Sequence, residues 1–129
     1  MNLDRYQPYA LALLRIVAGM IFMAHGTQKL LSFPAGERAG VELLSLSGIA
    51  GAIELVGGFL IVIGLFTRIS AFICSGQMAV AYWIAHAPQN FFPVNNGGDA
   101  AILYCFVFLF LVFAGAGVWS VDGTRRGAA

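Results

Sequence analysis

Four apolar stretches, separated by short polar segments, dominate the chain. They predict helices over about residues 9–31, 49–66, 69–85 and 100–118, because apolar runs of this length with few charges are typical of membrane-spanning helices. The connections between them are short, which favours antiparallel neighbours. The pattern therefore predicts an all-α fold, an integral membrane four-helix bundle, as a single domain over residues 1–129.

The polar segments add detail to this topology. Residues 32–47 are too charged to span a membrane, and their apolar positions predict a short interfacial helix over about residues 38–47. Asp99 directly precedes the fourth apolar run, where its side chain can cap the helix start. The balance of basic residues places both termini in the cytoplasm. The residues compared are Arg5, Arg68, Arg125 and Arg126 on the terminal side, against Lys29 and Arg38 on the other.

Composition strengthens the membrane assignment and excludes one class of partner. The chain has 129 residues, of which 60% are hydrophobic and 10% are charged, whereas a soluble domain carries about 25% charged residues. We expect a multi-pass protein of the cell (inner) membrane with the lipid bilayer as its first partner. The net charge is +1 without a basic run, so nucleic acid is not an expected partner.

Glu54 is the exception within the second apolar stretch. A carboxylate inside hydrocarbon is costly unless it is neutralised or paired, so it marks a candidate functional site. His25 and Lys29 lie at a similar depth in the first predicted helix, and we expect Glu54 to pair with one of them. Three interpretations remain open: an ion-pair network that only fixes helix register, a ligand or proton site, or no pairing at all.

The remaining polar residues suggest a pocket in the outer half of the bundle, below the Asn95–Asn96 loop. Arg15 is expected either to reach the cytoplasmic surface or to hold an anionic headgroup or a partner carboxylate. Gln77 is expected to hydrogen-bond between helices, with a quinone or substrate contact as the alternative. The predicted binding residues are Glu54, His25, Lys29, Gln28, Asp99 and Asn96, with Arg15 and Gln77 as secondary candidates.

The sequence predicts neither catalytic residues nor a resident redox group. It has no metal-ligand spacing, no Gly-rich nucleotide loop and no haem-type histidine pair on two helices. Cys74 and Cys105 fall at different depths of the predicted bundle, so a disulfide between them is not expected. Whether the chain is an enzyme is therefore left open by its residues.

Five segments in order carry a family resemblance. They are LLRIVAGMIFMAHGTQKL at 13–30, AGAIELVGGFLIVIGLFTR at 50–68, Gln77, NNGGD at 95–99 and GAGVWSVD at 115–122. Together they resemble the DoxX family of small four-helix membrane proteins. The family often has glutamate at the position of Asp99, and the shorter side chain here reaches less far.

The resemblance implies a role in membrane redox systems. Members of the family resemble subunits or partners of such systems, including quinone-linked thiosulfate oxidation and responses to thiol or quinone stress. We therefore expect an accessory or quinone-interacting subunit of a membrane oxidoreductase system, with quinone as the candidate cofactor. The alternatives are a small-solute or ion-passing membrane protein and a scaffold subunit without chemistry. Glycine-rich helix faces also favour a homo-oligomer or packing against another membrane or redox subunit.

Overall fold

The computed structural model describes residues 1–36 and 39–127, and these residues form helices and turns without a strand among them. The prediction of an all-α fold is confirmed. A π-helical turn, Tyr82–His86, follows the third helix. The helices are α1 (Gln7–Leu31), α2 (Leu46–Ile63), α3 (Thr67–Ala81), α4 (Pro93–Asn96), α5 (Asp99–Ala114) and α6 (Val121–Gly127).

The segment before α2 differs from the predicted interfacial helix over 38–47. Residues 39–45 form turns and bends, while Arg38 lies outside the described residues. The chain folds back here, since the backbone N–H of Val41 donates to the carbonyl of Lys29 at 2.9 Å. The hydroxyl of Ser45 then accepts a hydrogen bond from the N–H of Gly48 at 3.0 Å, which caps α2 and starts it at Leu46. The predicted interfacial helix is therefore wrong for the described residues.

Glycines bring α1 and α2 into close antiparallel contact. A Cβ at Gly19 would lie 2.9 Å from the Val62 side chain, and one at Gly58 would lie 2.8 Å from the Cβ of Met23. At Gly26 a Cβ would collide with the backbone of α2 itself. The helix axes can approach this closely only because these positions lack side chains.

Helices α2 and α3 form a hairpin that is tight at one end and open at the other. Gly64 adopts φ +69° and ends α2, a conformation that favours glycine. A Cβ at Gly57 would lie 2.5 Å from Sγ of Cys74, so the helices are still in contact there. Beyond this contact the two helices diverge, and their facing residues line a cavity instead of touching.

The packed core fills the middle of the helices. Phe22 of α1 meets Phe108 of α5 with ring centroids 4.8 Å apart. Phe22, Ile61, Phe108 and Leu111 are each at most 1% exposed. The space between α1, α2 and α5 is therefore filled at this level.

The outer surface of the helices is apolar. Val56, Phe72 and Phe113 are 58%, 65% and 76% exposed, which a water-facing surface would not favour. Two helical segments, Asp4–Leu31 and Leu46–Ile63, are long and apolar enough to span a membrane, whereas the apolar helix α5 is shorter. These surfaces suit a lipid environment.

Arginines stabilise the end of the molecule where the α2–α3 turn lies, which we call the arginine end. It comprises Arg15, Arg68, the α2–α3 turn and the segment 115–122. Arg68 donates to the carbonyls of Val112 and Phe113 at 2.8 and 2.7 Å. These are carbonyls of the last turn of α5, which ends at Ala114 rather than at the predicted residue 118.

The segment after α5 connects all parts of the arginine end. The carboxylate of Asp122 accepts hydrogen bonds from the backbone N–H groups of Phe66 and Thr67 at 3.0 and 2.9 Å, at the start of α3. The rings of Tyr9 and Trp119 meet with centroids 5.4 Å apart. The start of α1 and the segment after α5 therefore lie at the same end of the molecule.

Candidate functional site

A cavity of about 1130 Å³ lies where α2 and α3 diverge, at the end opposite to the arginines. We call this the cavity end. Its walls are mostly apolar and come from α1, α2, α3, the π-helical turn and α5. Ile49, Val80 and Ile84 in its walls are 50%, 56% and 55% exposed. The cavity therefore opens sideways onto the apolar surface of the helices.

Lys29 and Glu54 form a buried ion pair in the cavity wall. Nζ of Lys29 lies 2.7 Å from Oε1 and 2.8 Å from Oε2 of Glu54. The two side chains are only 9% and 3% exposed. Charges out of water are tolerated when they are paired and hydrogen-bonded in this way. The partner of Glu54 is therefore Lys29, rather than His25.

The local sequence explains how the pair is held. Gly51 precedes Glu54 by one helical turn, and a Cβ at Gly51 would lie 3.1 Å from Cβ of Lys29. Gly26 lies one turn before Lys29 and admits the backbone of α2. Because glycines occupy these positions, the two helices approach closely enough for one ammonium group to reach both carboxylate oxygens.

Two more predicted residues, His25 and Gln28, line the same cavity beside the pair. The imidazole of His25 packs edge-on against the ring of Tyr104, with centroids 6.3 Å apart. Tyr104 lines the cavity too and was not among the predicted residues. Its position in an apolar run of α5 resembles that of a core aromatic residue, so the sequence held no signal for it.

Gln77 reaches the cavity from α3. Its Oε1 atom is buried and has no hydrogen-bond partner among the described residues. The predicted hydrogen bond between helices is therefore absent at this oxygen. A buried amide oxygen without a partner is unusual, since most buried polar atoms are satisfied.

His86 also lines the cavity, although its position in a turn-rich segment gave no reason to select it. The π-helical turn Tyr82–His86 carries the ring inward. Its Nδ1 lies 3.1 Å from the backbone carbonyl of Asn96. Both histidines of the chain therefore line one cavity. Single-turn π-helices are frequent at functional sites and would have been the only clue.

Asn96 and Asp99 are not brought into the cavity. Asn96 is 4% exposed, and its amide nitrogen donates to the hydroxyl of Tyr82 and the carbonyl of Asn90 at 3.2 and 3.0 Å. Its side chain therefore organises the loop. Asp99 is exposed, and Gly98 occupies the cap position of α5 without a side-chain bond from Asp99. The predicted cap is wrong, because Asp99 is already the first residue of the helix.

Arg15 belongs to the arginine end and not to the cavity. It is fully buried, and its guanidinium group donates to the backbone carbonyls of Ala116, Val118 and Trp119. The prediction that Arg15 reaches the cytoplasmic surface is wrong, because its side chain is fully buried. An anionic headgroup or a partner carboxylate as its ligand stays a prediction. Arg15 binds the segment that follows α5.

The described residues contain no group of three or more metal-ligating side chains. Cys74 and Cys105 are free thiols. The side chains that line this site offer hydrogen bonding and charge from an ammonium, a carboxylate, two imidazoles, two amides and the hydroxyls of Ser47 and Tyr104. Such groups bind and orient a ligand at one end of a mostly apolar cavity.

Comparison with known proteins gives the family. The model of the DoxX family matches residues 10–87. An uncharacterized protein of Haemophilus influenzae is 46% identical over 126 residues, which cover 94% of both chains. An uncharacterized membrane protein of Mycobacterium tuberculosis is 26% identical over 89% of this chain and 80% of its own length. No solved structure matches. The family match covers both halves of the ion pair and the hairpin that forms the cavity, and on this evidence the chain is a member of the DoxX family.

Proposed function

We propose that this chain serves a membrane oxidoreductase system by binding a lipid-soluble ligand of the quinone class in the cavity. The observation that carries the proposal is the polar end of an otherwise apolar cavity, formed around Lys29 and Glu54 and open sideways to the apolar surface. A ring with polar substituents and an apolar tail suits such walls. The family resemblance supplies the quinone class.

The ion pair supports a role beyond fixing helix register. A pair that only joins two helices could be enclosed on all sides, as Arg15 is at the other end. Here the pair adjoins about 1130 Å³ of space, together with His25, His86 and Gln77. Fixing helix register does not require a cavity of this size beside the pair, and the space supports accommodation of a ligand.

The packed core favours binding over passage of solutes or ions. Below the cavity, Phe22, Phe108 and Leu111 are each at most 1% exposed and fill the space between the helices. A solute that entered from the cavity end would meet these close-packed apolar side chains. This packing supports a binding role over the transport alternative.

We also propose the finer topology and partners. Helices α1, α2, α3 and α5 each cross the cell (inner) membrane, with the arginine end in the cytoplasm, since Arg68 and Arg125 lie there. The exposed apolar surfaces of the helices suit packing against a second copy or another membrane redox subunit. The chain contributes ligand binding, and its partner contributes electron transfer.

Native mass spectrometry of the full chain in lipid nanodiscs tests the binding role. Decylbenzoquinone and decylhydroquinone are the probes, and both are titrated anaerobically. We expect one-to-one binding by the wild type and a loss of about tenfold or more in affinity for Glu54→Gln, because the variant breaks the charged hydrogen bonds that order Lys29.

Glu42→Gln is the matched control. Glu42 is exposed and lies outside the cavity, so this variant removes the same charge without touching the site and should bind as the wild type does. Absence of binding by both probes to the wild type would contradict the proposal. Equal affinity of Glu54→Gln and the wild type would reduce the pair to a structural role.

A further inference from the structure

A groove of about 580 Å³ lies at the arginine end, opposite to the cavity. The guanidinium groups of Arg68 and Arg125 line it together with the carboxylate of Asp122. Both arginines are exposed, whereas the carboxylate accepts hydrogen bonds from two backbone N–H groups at the start of α3. Two guanidinium groups against one engaged carboxylate leave the lining of the groove net positive.

Arg68 offers the groove two parallel donors on a side chain that is already held in place. Its Nη1 donates to the carbonyls of Val112 and Phe113 at 2.8 and 2.7 Å. The hydrogens of Nε and Nη2 lie along the other edge of the group, and none of the hydrogen bonds in the described part of the chain engages these two nitrogens. Such an edge matches two oxygens of one phosphate group.

Gly115 leaves space beside this guanidinium group. It lines the groove and adopts φ +80°. A Cβ there would lie 2.9 Å from Nη2 and 3.6 Å from Nε of Arg68. Any other residue would therefore place its side chain against the two free donors, and glycine leaves room for a group to reach them.

An exposed apolar strip begins in the groove and continues along α3. Phe66 and Ile69 line the groove and are exposed. Phe72 and Ile73 follow Ile69 at spacings of three and four, so they share its face of the helix, and they are exposed as well. The acyl chains of a lipid would cover this strip, whereas a free phosphate ion would leave it bare.

We propose that the groove binds the phosphate headgroup of an anionic phospholipid, whose acyl chains lie along the exposed face of α3. Arg68 binds two oxygens of the phosphate, and the positive lining favours a lipid with net negative charge. This site is separate from the cavity, and the proposal does not depend on the proposed function.

Arg125 discriminates between headgroups. Its guanidinium group lies over the ring of Phe66, with Cζ 5.3 Å from the ring centroid, and so stays at the groove. The headgroup of phosphatidylethanolamine carries an ammonium group, which would bring a like charge to this guanidinium. Phosphatidylglycerol has the same phosphate without that cation, so the groove should prefer it.

Native mass spectrometry of the full chain in a non-ionic detergent tests the proposal. The probes are phosphatidylglycerol and phosphatidylethanolamine with the same dioleoyl chains, and inorganic phosphate. We expect one phosphatidylglycerol to bind about tenfold more tightly than phosphatidylethanolamine. Inorganic phosphate should bind more weakly than phosphatidylglycerol by about tenfold or more, because it buries no apolar surface.

Two variants and a matched control locate the binding. Arg68→Lys keeps the charge but loses the parallel donors, so its affinity for phosphatidylglycerol should fall about tenfold. Arg125→Gln should reduce the preference between the two lipids to about threefold or less. Arg5→Gln removes the same charge from an exposed arginine that lies over a tyrosine ring outside the groove, and its affinity should stay within about twofold of the wild type.

Each contrary result overturns a stated part of the proposal. Equal affinity of the wild type for the two lipids would remove the preference for an anionic headgroup. Inorganic phosphate that binds as tightly as phosphatidylglycerol would replace the lipid by a free anion. A loss in Arg5→Gln as large as that in Arg68→Lys would reduce the site to a general attraction. The wild-type ratio and Arg125→Gln keep the test decisive if the Arg68→Lys protein does not fold.

Discussion

The arginine end and the cavity end treat buried charge in opposite ways. At the arginine end, Arg15 is fully buried and its guanidinium group donates hydrogen bonds to three backbone carbonyls. At the cavity end, Lys29 and Glu54 neutralise each other beside open space and the unpaired amide oxygen of Gln77. Buried polar atoms without a partner among the described residues occur at both ends, since Nε of Arg15 is one of them, so the difference between the ends is the cavity of about 1130 Å³ beside the ion pair. Buried charge within an apolar helix therefore has a structural role at the arginine end, whereas for the cavity end we propose a role in binding.

The largest effect on stability is expected at the arginine end. Arg15→Met removes three hydrogen bonds from a charged donor, each worth about 1.5–3 kcal/mol, so the free energy of unfolding should fall by about 5 kcal/mol. The same residue makes no contact with the cavity, so the folded fraction should bind ligand normally. Reversible unfolding in mixed micelles measures the first effect and nanodisc titration measures the second.

Arg5→Met is the control for this comparison. Arg5 is exposed, and its side chain bonds only to the neighbouring Tyr6, so the change should stay within about 0.5 kcal/mol. Loss of ligand affinity in folded Arg15→Met protein would show that the two ends are coupled, contrary to the division drawn between them.

At the cavity end, variants of the ion pair should affect the free energy of unfolding and ligand binding differently. Lys29→Met or Glu54→Met alone leaves one buried charge unpaired and should destabilise the protein by about 3–5 kcal/mol. The double variant leaves no charge and should recover most of that loss. Ligand binding should stay weak in all three. A double variant that regains both stability and binding would mean that the pair only fixes helix register.

The smallest effects on stability are expected for substitutions of two glycines, Gly26 and Gly76, and these effects should have opposite signs. Gly26→Ala places a methyl group against the backbone of α2 and should cost about 1–3 kcal/mol through overpacking. Gly76→Ala meets nothing within 4 Å and should instead stabilise α3 by up to about 1 kcal/mol. Equal effects of the two changes on thermal unfolding would contradict the close packing of α1 on α2.

Hydropathy exceptions were sufficient to predict a buried pair at Glu54, but not to choose Lys29 over His25 as its partner. Glu54 and Lys29 stand out within apolar runs, and helix periodicity puts them at a common depth. The same signal selected Arg15 but could not reveal its partners, because backbone carbonyls after α5 have no side-chain signature. The ends of the helices also depend on single hydrogen bonds that have no clear signature in the sequence. Ser45 caps α2, so that the helix begins before the predicted residue 49, and Arg68 binds a carbonyl at the end of α5.

Some residues that line the cavity were harder to predict from the sequence. These are the residues whose side-chain direction is set by a single contact in the folded protein. His86 enters through a π-helical turn, and a turn-rich sequence does not show which way its residues point. The sequence predicts that the Asn96 side chain faces a ligand, but its amide nitrogen donates hydrogen bonds to Tyr82 and Asn90 instead. Tyr104 has the pattern of a core residue. Sequence periodicity identifies the face of a helix, whereas these outcomes depend on single hydrogen bonds.

The closed floor beneath the cavity has a consequence for where its occupant comes from. Phe22, Phe108 and Leu111 seal the interior, while the side wall opens between Ile49 and Val80. In the proposed topology, a molecule bound there would exchange with the leaflet at the cavity end and not with the opposite one. Any reaction coupled to that binding would then have a sidedness.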